Sequence, residues 1–302
     1  IAMRMAQAVT GQTGIIATDA TYHGNTTAVS QLSARKPPVG GRWPNVRLVP
    51  APDSLRPVGG SAEGQAAAFA AHVRAAIADL AAHGHGLSGM LICPMFANEG
   101  LPTLAPGFLD AAVAEVQPGF GRAGSHFWGH DKLGFAPDVV TMGKPMANGH
   151  PVGAVLARPE VMAAFRNAFG YFNTFGGNPV SAAACLAVLD VIRDEGLQDN
   201  AARVSAHMMG RMRELRHPLL ADVRANGHFY ALEFVTGADL TPATAFVADL
   251  VEDMVARGLV LNRIGRGQNI LKIRPPMPFG RDHADLLMDA LTAALATIKV
   301  AP

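Results

Sequence analysis

Asp138-Val139-Val140-Thr141-Met142-Gly143-Lys144-Pro145-Met146 is a short apolar run that ends on a glycine, a lysine and a proline. Its length and unbroken apolar character predict a strand covered on both faces, as in a parallel sheet. Runs of the same kind are Gly14-Ile15-Ile16-Ala17, Val46-Arg47-Leu48-Val49, Met90-Leu91-Ile92-Cys93 and Val152-Gly153-Ala154-Val155. Helical patterns lie between them. Residues 61–82 are Ala-rich and carry Phe69, Val73, Ile77 and Leu80 at helical spacing. Asn178-Pro179 reads as a cap followed by proline at the first helical position, and Gly196 as the stop. This alternation predicts an α/β fold with a largely parallel sheet.

The pattern changes near residue 195. A helix rich in Arg and Met (residues 201–215) leads into His228-Phe229-Tyr230-Ala231-Leu232-Glu233-Phe234, which predicts a strand with one wet face. A helix opened by Thr241-Pro242, strands at 259–261 and 270–274, and a last helix from Asp282 follow. The chain therefore divides into a large domain, residues 1–195, and a smaller C-terminal α+β domain, residues 196–302.

Composition narrows the function. The 302 residues carry 25 Lys+Arg against 24 Asp+Glu, a net charge of +1, so no broad field attracts nucleic acid or an anionic membrane. With 49% hydrophobic and 16% charged residues, the chain has a core to bury and is not disordered. It contains no apolar run of about 18 residues, the minimum for a membrane span. Ile1-Ala2-Met3-Arg4-Met5-Ala6 lacks the basic segment and cleavage site of a signal peptide. Two cysteines, Cys93 and Cys185, argue for a reducing, cytoplasmic setting rather than a disulfide framework. His83-Gly84-His85 has no further ligands at metal-site spacing, so no metal is expected.

Five lysines are present: Lys36, Lys132, Lys144, Lys272 and Lys299. Lys144 alone follows an apolar strand and a glycine, at the strand end where α/β folds place ligands. Burial there would disfavour the ammonium, and a neutral amine can condense with an aldehyde. A lysine lying along the surface of a turn is the competing reading.

The surrounding motifs change that balance. Tyr22-His23-Gly24, Glu115-Val116-Gln117, Thr141-Met142-Gly143-Lys144 and Thr174-Phe175-Gly176-Gly177-Asn178-Pro179 occur in this order. Together they resemble the class III aminotransferases, over almost the whole chain. The resemblance implies the fold type I architecture of pyridoxal-phosphate-dependent transferases. It implies that Lys144 carries pyridoxal 5'-phosphate through a Schiff base and moves the proton during catalysis. Gln117 would bond the cofactor's phenolic oxygen and Tyr22 would stack on its ring, with His23 beside it. Thr174 would hold the phosphate from the neighbouring subunit, which makes the working unit a homodimer. The reaction implied moves an amino group between an amine or amino acid and a keto acid or aldehyde.

Four departures stand out. The family motif is Asp-Glu-Val-Gln, and Ala114 stands where that Asp pairs with the ring nitrogen. A helix begun at residues 108–114 breaks off before the motif, so residues of the family pattern are expected to be missing between Ala114 and Glu115. Met3 to Val9 reads as the later part of a helix, so a preceding segment is also expected. Lys272 replaces the family's carboxylate-clamping Arg, and with Arg274 two positions on it should share one strand face. Gly119, Gly121 and Gly124 match a dinucleotide fingerprint only in spacing, because no strand of adequate length and no acidic partner complete it. Two other functions stay open: a phospholyase acting on phosphorylated amino alcohols, to which 141–151 and 171–174 are also similar, and a non-catalytic binding protein on the same fold.

Overall fold

The computed structural model describes residues 1–33, 37–110, 115–116 and 122–298. Helix α1 (Ala2–Thr10) precedes β1 (Gly14–Thr18), α2 (Thr27–Ser30), β2 (Val46–Val49), α3 (Gln65–Ala82) and β3 (Leu87–Ile92). Then come β4 (Glu115–Val116), α4 (Gly129–Leu133), β5 (Val139–Met142), a 3-10 turn (Lys144–Ala147) and β6 (Ala154–Ala157). The helices α5 (Pro159–Phe169), α6 (Pro179–Asp194) and α7 (Leu197–Glu214) follow. The chain closes with β7 (Leu220–Ala225), β8 (Tyr230–Thr236), β9 (Thr241–Pro242), α8 (Thr244–Ala256), β10 (Asn262–Ile264), β11 (Ile270–Ile273) and α9 (Arg281–Thr297).

The first sheet has the order β2-β1-β3-β4-β5-β6. All its pairs are parallel except β5 with β6, where Val139 opposes Ala157. Its strands are apolar because both faces are covered: every residue of β1 is buried. α3 supplies one cover, with Phe69, Val73, Ala76 and Leu80 packed on Ile16, Val49, Met90 and Ile92. Each such large side chain contributes about 1.5–3 kcal/mol of burial. Parallel pairing puts the carboxyl ends of β1, β3, β4 and β5 along one edge, and the residues after them form the site.

The second sheet is antiparallel, in the order β10-β11-β8-β7, with β9 paired to the end of β8. Tyr230, Leu232 and Phe234 of β8 point to one face, packed on Met208, Met212, Leu250, Met254, Leu287 and Leu291 of α7, α8 and α9. The opposite face of β8 was expected to be wet. It is covered: Ala231 packs with Cys93, Met95 and Ala97 from the segment after β3, and Glu233 is buried.

That charge is matched across the seam between the sheets. Arg224 Nη2 donates to Glu233 Oε2 at 2.7 Å and its Nε to Gly100 O at 3.1 Å. Arg56, from the first sheet's connections, bonds the other oxygen of Glu233. Arg266 reaches Asp19 at 2.6 Å. The Asn178 cap is formed as read, its Oδ1 accepting from Val180 N at 3.0 Å and Ser181 N at 3.2 Å. Strands β6 and β10 begin two or three residues later than the apolar runs that announced them, and β7 carries no alternation strong enough to read.

Candidate active site

Lys144 leaves the carboxyl end of β5 through an extended Gly143 and enters the 3-10 turn with φ 46. A side-chain-bearing residue rarely adopts that backbone, and holding it there costs about 1–3 kcal/mol that surrounding packing must offset. Met146, one turn on, is buried against Ile192 and Leu197, and His150 Nε2 lies 2.9 Å from Ser181 Oγ of α6. The turn is thus fixed from beneath by α6 and α7.

The Lys144 amine stands 5.0 Å from the centroid of the Tyr22 ring, which comes off the end of β1. Two of the three described lysines are committed elsewhere. Lys132 Nζ donates to Asn226 Oδ1 at 2.7 Å, and Lys272 Nζ to Ala97 O and, at 3.3 Å, to Asn98 Oδ1. Lys144 has no hydrogen bond or ion pair among the described residues. The burial expected for it is not found: Lys144 is exposed, because β5 is only partly covered and Tyr22 shields one side alone.

His23 belongs to the same corner. Its Nε2 is 3.1 Å from Thr21 Oγ1, and burial, with the Lys144 ammonium adding to it, pushes its pKa down to about 4. It is neutral at neutral pH and adds no second cation. Ala20, at φ 60, makes the turn that carries Tyr22, and Asp19 beside it is held by Ala51 N at 2.8 Å and by Arg266.

Thr174 lies in an exposed turn before α6, and no hydrogen bond or ring contact joins it to Lys144 or Tyr22 among the described residues. Gln117 and Ala114 lie outside the described residues. So do Gly119 and Gly121, and so does the junction before Glu115. The pairing of Lys272 and Arg274 is corrected. β11 ends at Ile273, so Arg274 lies just past the strand, and the two side chains differ in burial. Lys272 is buried under the Ala97–Asn98 backbone, while Arg274 is exposed.

Glu99 escaped the sequence reading. It is buried beneath the Tyr22 turn, accepting from Thr18 Oγ1 at 2.9 Å and Asn98 N at 3.0 Å. Desolvation raises its pKa, while the Thr18 and Thr21 hydroxyls oppose the rise. Cys93, buried next to it, is pushed up to about 12, first by burial and then by Glu99. Nothing in Ala97-Asn98-Glu99-Gly100 distinguishes this carboxyl from a surface one. No group of three or more possible metal ligands occurs among the described residues, and no helix there is long and apolar enough to cross a membrane.

The family model for class-III aminotransferases matches residues 1–295. The alanine–glyoxylate aminotransferase 2 homolog 2 of Arabidopsis thaliana, a mitochondrial protein, is 34% identical over 98% of the chain. This chain spans 64% of that relative's length. Their alignment runs over 317 positions, more than the 302 residues of this chain, so the relative carries residues within the match that are lacking here. An ethanolamine-phosphate phospho-lyase homolog of Caenorhabditis elegans is 37% identical over 60% of the chain and 39% of its own length. A phospholyase from Arthrobacter, solved in complex with phosphoethanolamine, superposes with a TM-score of 0.92 at 36% identity, covering 99% of this chain and 74% of its own.

Proposed function

The chain belongs to the class III aminotransferases, and from that premise we propose that it is a pyridoxal-phosphate enzyme that transfers an amino group from an amine or amino acid to a keto acid or aldehyde. The observation that carries this reading is the Lys144 amine. It sits on a strained turn at a strand's carboxyl end, beside an aromatic ring, with no internal partner among the described residues. An amine held so and left uncommitted is available to a carbonyl.

The residues present fit the cofactor. Lys144 would carry it, Tyr22 would cover one face of its ring, and neutral His23 would border it without adding charge. When bound, the cofactor supplies the electron sink for the carbon that loses its proton. Lys144 would take that proton from the substrate's amine-bearing carbon and return one. Tyr22 would exclude water from that side.

Thr174 serves a neighbouring subunit in this proposal. Phe172 and Phe175 flank it at 82% and 81% exposure, and Val180 and Leu186 of α6 are exposed as well. So large an apolar surface suits a homodimer interface. Light scattering should give twice the chain mass, and Thr174→Ala should release cofactor faster. The two cysteines, both free, are consistent with a reducing cytoplasm.

A second reaction is favoured by the 36% identity to the phospholyase: elimination of phosphate from a phosphorylated amino alcohol. The deciding experiment loads the protein with pyridoxal phosphate and screens amine donors and acceptors, with released phosphate assayed in parallel on phosphoethanolamine. Amine transfer supports the first reaction and phosphate release the second. A visible cofactor band that survives in Lys144→Ala overturns the assignment of the lysine. Absence of any band returns the chain to a non-catalytic binding role.

A further inference from the structure

Ala20 turns the chain between β1 and Tyr22 at φ 60, a backbone that a residue with a side chain keeps only when its surroundings enforce it. Two residues on, the Tyr22 ring stands 5.0 Å from the Lys144 amine. Whatever restrains Ala20 therefore restrains that ring. The restraints fall on the two residues before it. Asp19 N donates to Val49 O at 2.9 Å, and Asp19 Oδ1 accepts from Ala51 N at 2.8 Å. The same oxygen accepts from Arg266 Nη2 at 2.6 Å, and that nitrogen also donates to Ala51 O at 3.4 Å. One guanidinium thus ties together the chain leaving β1 and the chain leaving β2. Thr18, wholly buried, donates to Glu99 Oε1 at 2.9 Å.

Both restraints lead to one turn of the second sheet. Arg266 lies at the tip of the β10–β11 hairpin, between Ile264 and Ile270. That tip is fixed by its own bonds. Gln268 N and Nε2 donate to Gly265 O at 3.2 and 2.8 Å, and Asn269 Nδ2 donates to Phe234 O at 2.8 Å. Gly265 N donates to Asn98 O at 3.0 Å, and Asn98 N to Glu99 Oε2 at 3.0 Å. From the same hairpin, Lys272 Nζ donates to Ala97 O and Asn98 Oδ1. The hairpin reaches the Tyr22 turn twice, by the Arg266 side chain and by way of Asn98 and Glu99.

We propose that Arg266 is a positioning residue for the site: through Asp19 it holds the Ala20 turn and so keeps the Tyr22 ring beside the Lys144 amine. A hairpin of the small sheet thereby sets the geometry of a site built on the large one. This role rests on Lys144 and Tyr22 forming the proposed cofactor site. The Arg266–Asp19 pair is half exposed, at 49% and 30%, and pairs of that kind contribute little to folding stability. Its loss should loosen the turn and leave the chain folded. The buried Glu99 anchor gives no such separation, which makes Arg266 the residue to change.

Arg266→Gln, Arg266→Lys, Asp19→Asn and the double variant Asp19→Asn/Arg266→Gln are compared with the parent. Hydrogen exchange of the cofactor-free protein is followed on the peptide spanning 18–24. Pyridoxal phosphate affinity is read from the visible band, and kcat and KM from the amine donor the parent uses best. Arg266→Gln should keep the parental unfolding midpoint and speed exchange in 18–24 alone. It should weaken cofactor binding and lower kcat roughly tenfold, with KM less affected. Arg266→Lys should recover part of each loss. The double variant should lose no more than the weaker of its two singles, because Arg266 acts through Asp19. Parental exchange in 18–24, or parental cofactor affinity, in Arg266→Gln overturns the role. A lowered midpoint with exchange faster along the whole chain makes the pair a structural one and overturns it too. Additive losses in the double variant give Arg266 a contact of its own in the site and overturn it as well. If exchange and affinity shift as described while no amine reacts, the positioning role stands and the proposed reaction fails. If the parent binds no pyridoxal phosphate, the cofactor site fails, and exchange alone decides whether Arg266 holds the turn.

Discussion

The carboxyl edge around Lys144 and the seam around Glu233 carry charges in opposite ways. At the edge, Lys144 has no acidic partner among the described residues. In the seam, Glu233, at 1% exposure, is held by Arg224 and Arg56, and Lys272 is capped by backbone and amide oxygens. A buried charge survives only when paired, so the seam's charges hold the two sheets together. Charges left open on a fixed backbone are the ones free to meet a ligand. The difference assigns roles that residue type alone does not: Lys272 and Lys144 are both lysines near the end of a strand, and only one is available.

The widest separation should come from single substitutions in the two regions. Lys144→Ala should abolish amine transfer and the visible cofactor band while shifting folding stability by less than about 0.5 kcal/mol, as for an exposed side chain. Glu233→Ala should cost about 3–5 kcal/mol in urea unfolding, because two arginines lose their carboxylate. A Lys144 variant that fails to fold, or a Glu233 variant of parental stability, breaks the comparison. Gly227→Ala should cost more than about 1 kcal/mol, because its Cβ has no room beside Arg122 O and its backbone is left-handed.

Smaller effects should appear in pH dependence, with opposite signs. The folded state keeps His23 neutral down to about 4, below its ordinary 6.5, and so binds fewer protons than the unfolded chain between those values. Its contribution to stability is therefore lost as pH falls through that window, and His23→Asn should flatten the slope there. Glu99 is displaced upward by burial, so the folded state binds more protons than the unfolded chain above the ordinary glutamate range. Stability should decline as pH rises through that range, and Glu99→Gln should remove the decline. Unfolding midpoints across pH check both slopes.

These two regions also differ in how far the sequence disclosed them. The place of Lys144 at a strand's end was legible from its local neighbours, an apolar strand, a glycine and a proline, whereas Tyr22 was named only through the family resemblance. The α/β alternation and the Asn178 cap were local in the same sense. Glu99, Glu233 and the withdrawal of Lys272 were not, since each depends on partners far along the chain. The alternation of β8 showed one apolar face correctly and left the other to be read as wet, because the segment that covers it contributes Cys93, Met95 and Ala97 from a distant loop. Thr174 is seen to be exposed, and the role proposed for it would need a second subunit.

The central claim is that the Lys144 amine is the one that binds the cofactor. Hydride reduction of the cofactor-loaded protein, followed by peptide mapping, tests it most directly. The account predicts the cofactor's added mass on the peptide containing Lys144 and on no other lysine peptide; label on Lys132 or Lys272, or none at all, would contradict it.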